Sequence, residues 1–212
     1  MAERSRVVED TAGLKATVRS VYQSSLYSDF TIRCGAAIFR VHKLVLHAYS
    51  AYFRRLFTNT IAIPEVHISE DPRVFSVLIR HIYQLGFTCK PPPDMSLQTY
   101  CIKVFAMAEK YELMTLRVLA AERLQQSVCS PKGDLQIMPR FFVEILYTMD
   151  KEGGAQGGLL WSLLIATIED NGKVLIEDKQ AGFEQACFAI PNLNRELLPR
   201  LASLYSRRRQ QN

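Results

Sequence analysis

A chain of 212 residues, 48% of them hydrophobic, is long enough to bury a core as one large domain or two small ones. Of its net charge of +5, Arg207, Arg208 and Arg209 supply three in the tail SRRRQQN, so the body is close to neutral and lacks the basic face of a nucleic-acid reader. No apolar run reaches the roughly 18 residues of a membrane span, and the charged opening MAERSRVVED is unlike the apolar core of a signal peptide.

Within residues 11–26, Leu14, Val18, Val21/Tyr22 and Leu26 recur at helical spacing and predict an amphipathic helix with one apolar stripe. Phe30, Ile32 and Cys34 then alternate with Thr31 and Arg33, the period of a strand. Gly35 supplies a turn, and Phe39 and Val41 continue the alternation, so a tight hairpin is expected. After His42 the period changes. Leu44/Val45 and Ala48/Tyr49 predict a short helix, and Ser50 is placed to cap the next one, whose apolar set is Phe53, Leu56 and Phe57.

A brief strand is expected around Val66–Ile68. Asp71-Pro72 then starts a helix, with the aspartate as cap and the proline at its first position. Val74/Phe75, Leu78/Ile79 and Ile82/Tyr83 give that helix a wide buried stripe, and Gly86 is expected to end it. Pro91-Pro92-Pro93 is a stiff connector. Ser96 caps a helix carrying Leu97, Tyr100/Cys101, Val104/Phe105 and Ala108, and a further helix carries Leu113, Leu116, Leu119/Ala120 and Leu124. These elements predict a mixed α/β (α+β), mostly helical unit: a small β-sheet covered by helices.

The polar, broken segment Ser127–Asp134 marks a boundary. Beyond it the pattern is all-α: Phe142, Ile145/Leu146 and Met149; then Leu159/Leu160, Leu163/Leu164 and Thr167/Ile168; a weaker stretch over Val174–Phe188; and finally Leu197, Leu201 and Leu204, entered through Pro191-Asn192. Pro199 falls inside the last pattern and predicts a kink or a late helix start there. The expected division is a first domain over 1–126, a helical extension over 135–206 and a basic tail over 207–212. The tail reads as a solvated end, and three arginines also suit a short nuclear-import or acidic-partner signal.

Cys34 and His42 invite a nucleophile–base reading, which requires the base to reach the thiol and a third group to orient it. Cys34 shares a strand face with Phe30 and Ile32, the place of a core thiol. His42 stands at a strand-to-helix junction, where a ring nitrogen can hold loop backbone. His67 and His81 have no ligand partner at metal spacing. The cysteines Cys34, Cys89, Cys101, Cys129 and Cys187 contain no CxxC pair and are odd in number, which fits reduced thiols in the cytoplasm or nucleus. GGAQGG, 153–158, follows a helix and precedes Leu159 where a phosphate loop would place Gly-Lys-Ser/Thr. Glu169-Asp170 and Glu177-Asp178 are adjacent pairs that diverge on a helix, unlike paired acid–base groups. No catalytic residue, metal site or cofactor is expected.

The stretch SDFTIRCG, then FRVHKLVL, then AYSAYFRRLF resembles the first half of a BTB/POZ domain, through Asp29, Phe39, Val41, His42, Lys43, Leu46, Ser50 and Phe53. EDPRVFSVLIRHIYQLGF is similar to the family's DP-x-x-F helix, and AMAEKYELMTLRVLAAERL continues the likeness at Ala108, Tyr111, Leu113 and Leu116. The resemblance runs from about Ala16 to Leu124. Residues 138–205 resemble the helical extension of many fungal BTB proteins, and no Kelch, MATH or zinc-finger segment is recognisable.

The resemblance implies a non-enzymatic protein–protein interaction module that homodimerises through its first helix, with Leu14, Val18 and Tyr22 at the interface. It implies that Asp29 and Lys43 form a charged pocket there, setting pairing geometry more than stability. It further implies partner binding near Phe53, Phe57, Ile63 and Glu65, since adaptors of cullin-type ubiquitin ligases carry an apolar-x-glutamate step after that helix; here the candidate is Ile63-Pro64-Glu65. A transcription-associated scaffold is the remaining alternative. Protein partners are expected in the cytoplasm or nucleus, with no direct contact to nucleic acid or membrane.

Overall fold

The computed structural model describes residues 2–59, 63–87, 90–130, 132, 135–151, 158–191, 193–195, 197 and 199–200, with side chains from Ala12 onward. Packing divides the chain into two compact units: residues 1–88 with 107–117, and residues 89–106 with 118–212.

The first unit begins with α1, Ala2–Ser24. Ala12–Thr17 are exposed on every side, while Val18, Val21 and Tyr22 are half-buried. Strands β1, Phe30–Cys34, and β2, Ala37–Val41, form the expected hairpin, with Phe30 opposite Val41 and Cys34 opposite Ala37. Gly35 opens the two-residue turn at φ +56°, a conformation the twist of a tight hairpin requires and that glycine adopts without strain. The third strand, β3, Glu65–Ile68, pairs parallel to β1, giving the order β2-β1-β3. Phe30, Ile32 and Cys34 are buried on one face of the central strand, as their alternation predicts.

Two short helices join β2 to β3: α2, Lys43–Tyr49, and α3, Ala51–Asn59. Ser50 serves both. Its amide donates to the Leu46 carbonyl at 3.0 Å, ending α2, and its hydroxyl accepts from the Phe53 amide at 3.3 Å, capping α3. The apolar pattern of α2 is corrected by the structure. Leu46 alone is buried, while Leu44, Ala48 and Tyr49 face outward, because in two helical turns only one residue reaches the core.

Helix α4, Pro72–Ile82, starts as predicted, with Asp71 accepting from the Arg73 amide at 2.9 Å. Its end differs from the expectation. Gly86 does not terminate it; Tyr83 leaves the helix at φ −83°, ψ 17°, and Gln84 takes the left-handed conformation at φ +58°. Tyr83 is thereby carried into the interior, fully buried. The last part of α5, Leu97–Lys110, and the start of α6, Met114–Val128, complete this unit. Here Tyr111 packs between Phe53 and Phe75, with ring centroids 5.7 Å and 5.5 Å away.

The second unit is built from the remainder of α5 and α6, then α7, Pro139–Lys151, and α8, Leu159–Glu177. A single 3₁₀ turn, Lys179–Ala181, leads to α9, Phe183–Ala189. Ser96 caps α5 through the Thr99 amide at 3.1 Å. Phe142, Ile145, Leu146 and Met149 of α7 are buried as their spacing predicts, and α7 packs on α8 and α9. Asp178, read from sequence as solvated surface, instead caps the 3₁₀ turn by accepting from the Gln180 amide. The described residues among 191–200 are helical from Pro191 onward, so there is no late start at Pro199. Leu201, Leu204, the arginine tail and residues 152–157 of the glycine-rich segment lie outside the described residues. No helix among the described residues is long and apolar enough to cross a membrane.

Candidate functional site

The residues singled out by sequence converge where β1, β2 and α2 meet. Asp29 precedes β1, and its amide donates to the Val41 carbonyl at 3.2 Å. That anchor directs its carboxylate at the start of α2, where Oδ1 accepts from the Lys43 amide at 2.8 Å. A carboxylate at this place satisfies a free helix amide and complements the positive end of the helix dipole. Asp29 is therefore the cap of α2, supplied from another element; His42, the residue at the N-cap position, contributes no side-chain cap. The Lys43 ammonium lies 5.5 Å from the Phe30 ring centroid and 5.9 Å from that of Phe57, a cation–π arrangement at the edge of the aromatic core. The structure thus brings Asp29 and Lys43 together through the Lys43 backbone amide.

His42 is buried beside them. Its Nε2 lies 2.7 Å from the Leu26 carbonyl and its Nδ1 lies 2.9 Å from the Tyr83 hydroxyl. The same hydroxyl accepts from the His42 amide at 2.7 Å. One assignment satisfies every group: Nε2–H donates to Leu26, and Tyr83 donates to a bare Nδ1. The ring ties the link between α1 and β1 to the end of α4. Burial pushes the Tyr83 phenol far above its ordinary pKa, keeping it a donor. Tyr22 stacks on Tyr83 with centroids 4.5 Å apart, and burial raises its pKa too. Leu14 stands two helical turns before Tyr22 and is 65% exposed; Val18 is half-buried.

Cys34 and His42 do not form a pair. The Cys34 thiol is fully buried and donates to the Glu70 carbonyl at 3.2 Å, and burial raises its pKa, the opposite of an activated nucleophile. His81 is half-buried on α4, and burial holds its pKa below the ordinary value. Among the described residues no three His, Cys, Asp or Glu side chains converge as a metal site would require.

The other predicted set divides. Phe53 is fully buried, so its ring belongs to the core and presents nothing to a partner. Phe57 is half-buried and meets Phe30 edge-on at 4.9 Å. Ile63 is 42% exposed. Glu65 lies within β3, held 2.9 Å from Arg33 Nε and 3.2 Å from His67 Nε2. The Arg33 hydrogen bond holds its carboxyl below the usual range. Tyr83 is the residue that the periodic reading missed as part of this site, because an aromatic at the end of an apolar stripe is indistinguishable from core.

Residues 19–128 match the model of the BTB/POZ domain family, and they carry the sheet, the α2 cap and the His42 junction described above. The chain belongs to the BTB/POZ family. As a BTB/POZ protein it carries a protein-interaction module. It is similar to BTB/POZ and MATH domain-containing protein 6 of Arabidopsis thaliana, at 30% identity over 190 residues, 82% of this chain and 42% of that protein. It is similar to Kelch-like protein 40 of Homo sapiens at 24% identity over 198 residues, 86% of this chain and 30% of that protein. The BTB domain of zebrafish PATZ1 superposes with a TM-score of 0.48 at 19% identity, covering 56% of this chain and 94% of that one. The BTB/POZ chain therefore spans less than half the length of these two relatives.

Proposed function

We propose that this BTB/POZ chain works as a homodimer that recruits a partner protein, with residues 135–206 forming a helical extension to the BTB domain. The dimer reading rests on one observation: large apolar side chains left in solvent on the first helices. Leu14 is 65% exposed on α1 and Leu44 is 79% exposed on α2, more than isolated surface leucines need explaining, because they accompany the Asp29–Lys43 junction. Val18 and Tyr22 continue the α1 surface, and Asp29 sets the angle of α2 and so the placement of Lys43. Sedimentation equilibrium tests the reading. The wild type is expected at twice the chain mass, with Leu14→Asp at the monomer mass and Lys43→Glu shifted toward it. A monomeric wild type, or a dimer that Leu14→Asp leaves intact, overturns it. Leu14 touches no core, so loss of dimer there is not loss of fold.

A second reading, adaptor of a cullin-type ubiquitin ligase, is favoured by the exposure of Ile63 two residues before Glu65, and is opposed by the commitment of Glu65 to Arg33 and His67. Pull-down with a purified cullin decides it: no binding removes the adaptor role, and binding lost in Ile63→Asp supports it. The scaffold reading depends on the Arg207–Arg209 tail, outside the described residues.

A further inference from the structure

The sheet of the first unit ends on β2. The Thr31 amide donates to the Pro64 carbonyl at 3.0 Å, so Thr31 and Arg33 turn their backbone groups toward β3, and Phe30, Ile32 and Cys34 turn theirs toward β2. Val41, Phe39 and Ala37 are therefore the residues of β2 that bond β1, and the Cys34–Ala37 pair closes the two-residue turn. The amides and carbonyls of Ile38 and Arg40 point the other way. Among the described residues neither has a further hydrogen bond or ion pair.

Edge strands are commonly guarded by a bulge, a proline, an inward charge or a covering segment. β2 keeps a regular register over all five residues, contains no proline, and turns Ala37, Phe39 and Val41 inward. Phe39 meets Phe75 at 5.4 Å yet is half-buried, so aromatic surface is open at the edge. On the other face Ile38 is 55% exposed and Arg40 is exposed beside it.

The strand's own pattern selects an occupant. An incoming strand must bond both Ile38 and Arg40. Two-fold antiparallel pairing of β2 with itself, centred on Arg40, sets arginine against arginine. Centred on Ile38, it carries Arg40 past the end of the facing strand. Centred on Phe39, it sets Ile38 of one copy opposite Arg40 of the other at both positions, and each pair exchanges both of its backbone bonds. No like charges then stand directly opposite, and the aliphatic stem of Arg40 covers the exposed Ile38. The half-buried Phe39 rings meet across the closer, non-hydrogen-bonded position, a stabilising aromatic pair.

We propose that β2 pairs with β2 of a second copy, antiparallel about Phe39, joining two three-stranded sheets into one. The contact uses none of the first-helix residues, so the two interfaces together build assemblies larger than a dimer.

Sedimentation equilibrium is run at concentrations up to about 500 μM, which populates a contact with a Kd of about 100 μM. The mass is expected to rise from two chains toward four in the wild type, and from one toward two in Leu14→Asp. Ile38→Pro removes an outward amide that the hairpin does not use. Ile38→Lys sets a lysine against Arg40 of the other copy while leaving the core untouched. Each is expected to abolish the rise, with the melting temperature of Ile38→Lys unchanged. Ile38→Lys/Arg40→Glu sets lysine opposite glutamate in this register alone, and is expected to restore the rise. A mass independent of concentration overturns the proposal and leaves the edge to a different partner's strand. A rise that survives Ile38→Pro, or that the double variant does not restore, overturns it too. Should the first-helix reading fail, the wild type starts from one chain and the same rise, loss and rescue are read.

Discussion

The two units of this BTB/POZ chain treat their polar groups differently. In the first unit every described carboxylate is engaged: Asp29 with the Lys43 amide, Glu65 with Arg33, Glu70 with Lys110, Asp71 with Arg73, Glu109 with Arg117 and Glu112 with Arg55. His42, Tyr83 and Ser50 are buried with partners, and Ser50 donates to the Tyr111 carbonyl at 2.7 Å across 61 residues of sequence. The second unit is carried by apolar helix faces. Among the described residues, Glu122, Glu144, Asp170 and Glu184 have no partner, while each unit has one buried nitrogen without a partner, Arg117 Nε in the first and the Trp161 indole in the second. Buried polar groups contribute little net stability when paired and cost much when orphaned, so they enforce one arrangement. Both units bury partnered polar groups, His42 and Ser50 in the first and Thr167 and Asn171 in the second; the difference is that the first engages each of its described carboxylates and the second leaves several in solvent.

The largest expected effect tests the shared foundation. Phe53→Ala empties a fully buried site between Phe57 and Tyr111 and should cost about 3–5 kcal/mol, read from the shift in urea midpoint. Next, Tyr83→Phe keeps the ring and removes one oxygen. It strands the buried His42 amide and Nδ1, and should cost about 1–3 kcal/mol by the same measurement. A loss under a few tenths of a kcal/mol would break the claim that polar links specify the first unit.

A pH series sharpens the comparison further. His81 has its folded pKa lowered from the ordinary 6.5 by burial. Its unfolded form therefore binds the proton first, and stability present above about pH 6.5 declines as pH falls toward the folded value. Urea midpoints should drop across that window in the wild type and less in His81→Gln. At lower pH, Glu65 and Glu112, held below the carboxylate value by Arg33 and Arg55, lose their contribution as they protonate. The smallest effect belongs to the second unit: Gln125→Ala and Gln136→Ala should each change stability by no more than about 0.5 kcal/mol. A larger loss would mean that these amides support the fold.

Much of the architecture was legible because it is written locally. The alternation of Phe30, Ile32 and Cys34, the turn at Gly35, and the caps Ser50, Asp71 and Ser96 each involve residues a few positions apart. The misreadings share one cause. Leu44 and Tyr49 looked like a helix face, but a two-turn helix presents too little length to bury both. Phe53 looked available to a partner, but its ring is fully buried, with Tyr111 brought from far along the chain to stack on it beside its helix neighbours Tyr52 and Phe57. Gly86 looked like the stop of α4, but Tyr83 is drawn inward by His42 before the glycine is reached.

The sequence alone determined the elements, their periods, their caps and the family resemblance at Asp29, His42, Lys43 and Tyr111, because periodicity and capping act within one or two turns. Tertiary structure alone decided that Asp29 caps α2, that one phenol satisfies two groups of His42, and that Ile38 and Arg40 form an outer edge of the sheet. The first two of those contacts join residues 14 and 41 positions apart, and no local pattern encodes which of many compatible groups will meet.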